Sequence, residues 1–157
     1  MNGKIKKISP FLWFDSQAEE AAKFYVSVFE NSKILTTSYY TADTPSEKPK
    51  GSVMTVNFEL DGLEFTALNG GSIFKFNESI SFVVKCKDQE EIDYFWEKLS
   101  NDPNAEQCGW LKDKFGLSWQ IVPENLGELI KSEKSMQEML KMKKIDIQAL
   151  KKADGEN

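Results

Sequence analysis

The stretch Cys108-Gly-Trp-Leu-Lys-Asp-Lys-Phe-Gly-Leu-Ser-Trp-Gln-Ile-Val-Pro123 reads as a β-hairpin. Trp110 and Leu111 lead into a polar turn, Asp113-Lys-Phe-Gly116, and Leu117, Trp119 and Ile121 lead out of it at the strand period of two. Glycine gives such a turn its backbone freedom, and Pro123, with no N–H to add to a ladder, ends the outgoing strand. Gln120 falls on the face opposite Leu117, Trp119 and Ile121. A strand with one apolar side thus presents an amide on its reverse, which makes Gln120 a candidate site residue. Asp113 reads first as a turn former and Trp119 as a core anchor.

Upstream of the hairpin, Ile80 to Cys86 is an apolar strand, and Asp88 stands where a helix would take its N-cap. Glu90 and Glu91 favour the first turn of that helix, and Ile92, Phe95, Trp96 and Leu99 share one face. Asn101-Asp-Pro-Asn104 breaks it, and a strand or two precede the hairpin. The same order occurs earlier. Ile8 to Phe14 predicts a strand that Pro10 confines to an edge or a start. Asp15 and Ser16 offer capping oxygens to a helix over 18–29, whose stripe is Ala21, Ala22, Phe24, Tyr25, Val28 and Phe29. Lys33 to Tyr40 is rich in β-branched and aromatic residues, and Thr41 to Gly51 reads as a mobile loop. Val53 to Leu60 and Leu63 to Leu68 are strands joined by Asp61-Gly62, a strong two-residue hairpin signal. Strand, helix and three strands therefore recur, over 8–69 and again over 80–123.

The segment 124–157 is helical in character. Leu126, Leu129 and Ile130 make one apolar patch, Met136, Met139, Leu140 and Met142 another, and Asp146 is placed to cap a last helix carrying Ile147 and Leu150. A methionine stripe at helical spacing reads as core or dimer packing, with a ligand or partner surface as the alternative.

With 157 residues, 40% hydrophobic and 12% aromatic, the chain suits one globular domain with a good core. A net charge of −5 argues against a nucleic-acid footprint; the lysines at 4, 6 and 7 read as a solvated surface. No segment approaches the roughly 20 apolar residues of a membrane span, and no secretory leader is expected. Cys86 and Cys108 lack a disulfide framework spacing and fit free thiols in a reducing cytoplasm. There is no histidine, which removes Ser-His-Asp and Cys-His catalysis, histidine zinc sites and the facial triad of non-haem iron. Without a histidine to activate it, Cys108 reads as an inert thiol.

Five segments together resemble the vicinal-oxygen-chelate superfamily, and within it the PhnB-like group that carries a 3-demethylubiquinone-9 3-methyltransferase domain name. They are Ser9 to Asp15, Ala18 to Tyr25, Phe65 to Gly71, Ile80 to Cys86 and Cys108 to Pro123. The resemblance implies an α+β fold of two βαβββ modules forming a cupped mixed sheet. Module one would span 5–71, a connector 72–78, module two 79–123 and a helical tail 124–157. It also implies metal-ligand positions at Ser9, Thr66, Ser79 and Gln120, where metal-using relatives place His, Gln or Glu. A neutral amide and three hydroxyls do not hold a divalent transition ion against water, so the expectation is a cup with neither metal nor cofactor. Glu64 and Asn69 are the nearest other ligands if the register is shifted. Methyl transfer from S-adenosylmethionine would call for a glycine-rich turn feeding a helix; Gly70-Gly71 instead follows a closing strand and leads into an apolar connector.

Strand parity sets Phe11, Trp13, Thr66, Ser81 and Gln120 on the faces away from the helices, a reasonable lining for a small-molecule pocket. For Phe11 and Trp13, packing at a dimer or module interface is the other open reading. The expected protein is a cytoplasmic homodimer that binds a small organic molecule and touches neither nucleic acid nor membrane. The competing reading is an enzyme, either a metal-dependent glyoxalase or dioxygenase or a methyltransferase, and a third is an interaction protein acting through the methionine-rich tail.

Overall fold

The computed structural model describes residues 6–155. Lys4, residue 5 at the start of the first module and residues 156–157 of the tail lie outside them. Contacts divide the chain into two compact units, Met1–Lys75 and Phe76–Asn157.

The first unit contains β1 (Phe11–Phe14), α1 (Ala18–Val28), β2 (Lys33–Tyr39), β3 (Val53–Leu60) and β4 (Leu63–Asn69). The sheet order is β1-β4-β3-β2, with β1 parallel to β4 and the other pairs antiparallel. This is the predicted strand–helix–three-strand order. The β3–β4 hairpin closes through Asp61 and Gly62, both at positive φ (47° and 78°), as a primed two-residue turn requires. One face of the sheet supplies Leu12, Phe14, Val56, Phe58, Leu60, Phe65 and Ala67 to the core. From α1 come Ala18, Ala21, Ala22, Tyr25 and Val28; the alanines let the helix lie close, and Tyr25 stacks on Phe58. Each large apolar side chain buried this way contributes about 1.5–3 kcal/mol.

The helix cap differs from the expectation. The N-cap residue is Gln17, with no side-chain capping bond, and neither Asp15 nor Ser16 caps α1. Instead Asn69 Oδ1 accepts the Ala18 N–H at 2.8 Å, while its amide nitrogen donates to Val53 O. The reason is topological. β1 and β4 run in parallel with Phe14 opposite Asn69, so the end of β4 arrives where the chain leaves β1 for the helix.

The second unit contains β5 (Ser81–Cys86), α2 (Gln89–Leu99), β6 (Trp110–Lys112) and β7 (Ser118–Pro123), in the sheet order β5-β7-β6. Again the first strand is parallel to the last. Where the first unit has β2, this one has a 3-10 turn over Pro103–Ala105 and an isolated bridge between Gln107 and Trp110. Pro103 and the Asp102 side chain, which caps the Asn104 N–H, turn that short polar segment away from a ladder. Asp88 caps α2 as predicted, by accepting from Glu91 N. Ile92, Leu99, Leu111, Trp119, Ile121 and Cys86 form the core side.

The hairpin turn is built on one carboxylate. Asp113 is 3% exposed; its Oδ1 accepts from Phe115 N and Leu117 N, and its Oδ2 accepts from the Trp119 indole at 2.9 Å. The turn former thus also fixes the core anchor.

Three helices follow: α3 (Leu126–Leu129), α4 (Glu133–Leu140) and α5 (Ile147–Ala153). Leu129, Ile145 and Leu150 form a small core, with Met139 and Met142 packed on it. Asp146 caps α5, as its position predicts. The segment is fastened to its own unit: Cys108 N and Gly109 N donate to Met142 O and Lys143 O, and the Gln89 side chain bonds Ile145 O and Ile147 N. A side chain at Gly109 would stand 2.9 Å from Ile121 O and 3.2 Å from Ile145, so glycine is what permits this approach. Met139 and Met142 are thereby packing residues, while Met136 and Leu140 stay exposed.

Candidate functional site

Each sheet buries one face under its helix and leaves the other with the polar and aromatic side chains. In the first unit two cross-strand rows lie on that second face. Phe11 is opposite Thr66, and Thr66 opposite Asn57; Trp13 is opposite Leu68, and Leu68 opposite Thr55. Thr66 Oγ1 donates to Asn57 Oδ1 at 3.0 Å. Phe11 is 60% exposed on that face.

Trp13 is half-buried and held from three sides. Its indole N–H donates to Gly71 O at 2.8 Å, and its ring meets Phe74 edge-on at 4.9 Å. A Cβ on Gly70 would stand 2.4 Å from the indole ring. Gly70 N and Gly71 N donate to Phe14 O and Asp15 O. The glycine pair therefore seats a tryptophan, and the residues after it form a turn and coil, with β5 as the next element.

In the second unit the corresponding rows are Ser81, Ser118 and Lys112, then Val83, Gln120 and Trp110. Gln120 Nε2 donates to Ser81 Oγ at 2.9 Å. With Thr66 and Gln120 taken as equivalent, Phe11 opposite Thr66 matches Val83 opposite Gln120, and a count of two residues back from each gives Ser9 and Ser81 where the resemblance implies Ser79. Ser79 sits in the turn before β5, where Asn77 Oδ1 accepts from both its N–H and its hydroxyl. Of the nominated residues, Phe11, Trp13 and Thr66 thus share one face in the first unit, and Ser81 and Gln120 share one in the second.

Sequence reasoning missed Asn57, Ser118 and Lys112 on these faces. The signal was present: Ser118 is two residues from Gln120, and Asn57 lies on the polar parity of its strand. Asn69, raised as another ligand, is committed to the α1 cap and to Val53 O. The first unit also has an open cleft of 440 Å³ between the start of α1 and the 41–52 loop, lined in part by Ser16, Glu19, Lys48 and Ser52; Phe11, Trp13 and Thr66 do not line it. That loop folds back on itself through Thr44 N to Lys48 O and Lys50 N to Asp43 Oδ1.

Both cysteines are free. Cys86 is fully buried at the end of β5, and burial, with Glu91 and Asp88 nearby, pushes its thiol up to about 12. It is a packing residue. The Cys108 thiol donates to Met139 O and accepts from the Gln107 amide, so local bonds occupy it.

A strand–helix–strands unit whose first strand runs parallel to its last, occurring twice in one chain, is the architecture of the vicinal-oxygen-chelate proteins. Residues 6–122 match the family described as 3-demethylubiquinone-9 3-methyltransferase. Among solved structures, the chain is similar to a PhnB protein from Bacillus cereus described by that same family name. The two are 35% identical over 74% of this chain and 99% of the other, with a TM-score of 0.61. It is also similar to protein PA1353 from Pseudomonas aeruginosa (15% identity, 76% and 98% covered, TM-score 0.53). A glyoxylase/bleomycin resistance protein/dioxygenase domain from Frankia sp. EAN1pec matches at 12% identity, 78% and 95% covered, with a TM-score of 0.45. No curated protein matches the chain. The chain belongs to the 3-demethylubiquinone-9 3-methyltransferase family, the PhnB-like group of the superfamily.

The metal-ligand positions that the resemblance implies are Ser9 and Thr66 in the first unit, and Gln120 and Ser79 (Ser81 by the ladder count) in the second. The donors present do not fit. They are three hydroxyls and one amide, all neutral, and Thr66 and Ser81 already take part in side-chain bonds. Among the described residues, no three His, Cys, Asp or Glu side chains come together as a ligand set. Hard and borderline divalent ions need carboxylate, imidazole or thiolate ligands to displace their water.

Proposed function

We propose that this PhnB-like protein binds a small organic molecule on the open faces of its sheets and carries out no transition-metal chemistry there. The observation that carries the reading is the Gln120–Ser81 couple: a neutral amide bonded to a hydroxyl at 2.9 Å, in the register where a ligand to metal would stand. Thr66 and Asn57 form the matching couple in the first unit, beside Phe11 and the seated Trp13. Apolar rings beside a few fixed polar groups are what small-molecule sites offer. Methyl transfer is disfavoured because Gly70 and Gly71 are taken up by Trp13.

The protein in this reading is a cytoplasmic homodimer. Two free cysteines fit a reducing compartment, and the exposed Phe11, Ile73 and Phe74 of one unit and Ile80 and Val83 of the other are apolar surface that a second copy would cover. No helix among the described residues is long and apolar enough to cross a membrane. The test is elemental analysis of protein purified without chelators, together with ligand-observed NMR against a metabolite panel. The expected result is sub-stoichiometric metal and at least one organic compound whose binding is weakened by Thr66→Ala or Gln120→Ala. Stoichiometric zinc, nickel, manganese or iron that is lost in Gln120→Ala would overturn it.

A further inference from the structure

Ser118 Oγ has no hydrogen-bond partner although the residue is 1% exposed, the one such side-chain atom among the described residues. A buried hydroxyl that has left water without gaining a partner is a standing cost, and an orphan of this kind calls for an explanation. Its surroundings are specific. The ladder places Ser81 directly opposite it on one side and Lys112 on the other, so three donor-bearing side chains stand in one row. Ser118 and Lys112 are directly opposite in an antiparallel pair, where Cβ atoms stand about 4.5–5.5 Å apart, close enough for one small acceptor group to reach both. Ser81 Oγ accepts from Gln120, which leaves its own hydroxyl hydrogen to donate.

Lys112 is paired at present with Glu78, a residue of the turn before β5 whose side chain is 63% exposed. That contact, chiefly the hydrogen bond from Lys112, holds the Glu78 carboxyl below the usual carboxylate range. Glu78 marks where a carboxylate goes, but it comes from an exposed turn and leaves the Ser118 hydroxyl unmet. The next row offers Val83 and Trp110 as apolar neighbours.

We infer that Lys112, Ser118 and Ser81 form a carboxylate-binding row for a small organic acid, with Glu78 as an internal occupant of the Lys112 position that the ligand displaces. The inference rests on the small-molecule reading above and narrows it to an anionic ligand class. The incoming carboxylate accepts from the ammonium and from the Ser118 hydroxyl together, while the body of the acid lies along Val83 and Trp110. Glu78 swings into solvent, where its charge is hydrated.

Benzoate and its neutral counterpart benzamide test this by NMR titration of the Ser118 amide and Trp110 indole signals. Benzoate is expected to bind at least about ten-fold more tightly than benzamide, the worth of one charge-assisted contact. Glu78→Gln, an exposed change that leaves the sheet intact, should tighten benzoate about three- to ten-fold, because the internal competitor is gone. Ser118→Ala should weaken it about five-fold or more and, with the orphan removed, should raise the melting temperature of the unliganded protein by about 2 °C. Equal binding of benzamide and benzoate, or a benzoate affinity unchanged in both Glu78→Gln and Ser118→Ala, overturns the carboxylate row. It leaves the small-molecule reading standing. If benzoate fails at millimolar concentration while neutral compounds of the metabolite panel bind, the row is likewise refuted alone; if nothing in the panel binds, both readings fall.

Discussion

Replacing Asp113 by asparagine keeps the shape of the side chain and removes one acceptor. In the native turn Oδ1 receives the Phe115 and Leu117 N–H groups at 2.8 and 3.1 Å, and Oδ2 receives the Trp119 indole N–H at 2.9 Å. An asparagine can hold its oxygen on the two backbone donors only by turning its own NH₂ toward the indole, which sets donor against donor. The lost charge-assisted bond is worth about 1.5–3 kcal/mol, and relief from burying a carboxylate returns part of it, leaving a net loss of about 2 kcal/mol. For a protein of this size that is a fall of about 4–8 °C in melting temperature. Asp113→Ala removes both acceptor oxygens and with them all three bonds, and should cost about 4 kcal/mol. Thermal unfolding followed by far-UV circular dichroism reads both. The asparagine penalty arises at the indole, so in a Trp119→Phe background it should shrink by about 1 kcal/mol or more. An asparagine variant that melts within about a degree of the parent, or a penalty unchanged in the phenylalanine background, would refute the claim that this carboxylate joins turn to core.

Gly70→Ala drives a methyl into the Trp13 indole, at 2.4 Å in the present arrangement, so the ring must leave its seat and give up the bond to Gly71 O. We expect a loss of about 1–3 kcal/mol and a red-shifted tryptophan emission; a variant with the parent spectrum and stability would show that the seat yields. Cys86 titrates with its folded value raised to about 12 from an ordinary value near 9, so the thiolate is disfavoured in the folded protein. The stability this gives is complete below about pH 9 and is lost as pH rises toward 12, because the unfolded chain releases the proton first. The fall in urea-unfolding stability across that window should be shallower in Cys86→Ala than in the parent, and the native thiol should resist iodoacetamide at pH 8 until the protein is unfolded.

Much of the architecture could be read from side-chain period and punctuation. The Asp61-Gly62 turn, the Asp88 and Asp146 caps and the alternation of Leu117, Trp119 and Ile121 are local signals, and their outcome depends on few distant residues. The α1 cap could not be read this way. Asp15 and Ser16 have the right chemistry in the right place, yet Asn69 supplies the bond from 51 residues away because a parallel strand pair brings it there. The site was legible in the same partial way. Parity put Phe11, Thr66, Ser81 and Gln120 on the faces away from the helices, since alternation needs no partner to be known. What could not be read was register. Counting from the turn glycines locates Thr66 and Gln120 on closing strands, but only the ladder shows that Ser81 is paired in the sheet, opposite Ser118, while Ser79 lies outside it. Lys112 and Ser118 needed the same information, because their meaning lies in being opposite one another.

That register also gives the two units different charge. In the first unit the pair at the positions of Ser118 and Lys112, counted from Thr66 and Gln120, is Glu64 and Glu59. Two carboxylates occupy there what a hydroxyl and an ammonium occupy in the second unit, and Glu59 has the flanking Lys33 as its partner at 3.7 Å. One architecture therefore carries opposite charge in its two copies. A carboxylate ligand would be repelled by the first row and drawn to the second, while each unit's next row, Phe11–Thr66–Asn57 or Val83–Gln120–Trp110, is uncharged in both. Gln120 belongs to the uncharged row, and its amide is tied to the charged one through Ser81. In the proposed carboxylate row this bond would orient Ser81 so that the serine hydrogen points away from Gln120 and is free to donate. A Gln120→Leu exchange should leave the melting temperature within a few degrees while loosening benzoate more than benzamide, a pattern that loss of general packing would not produce.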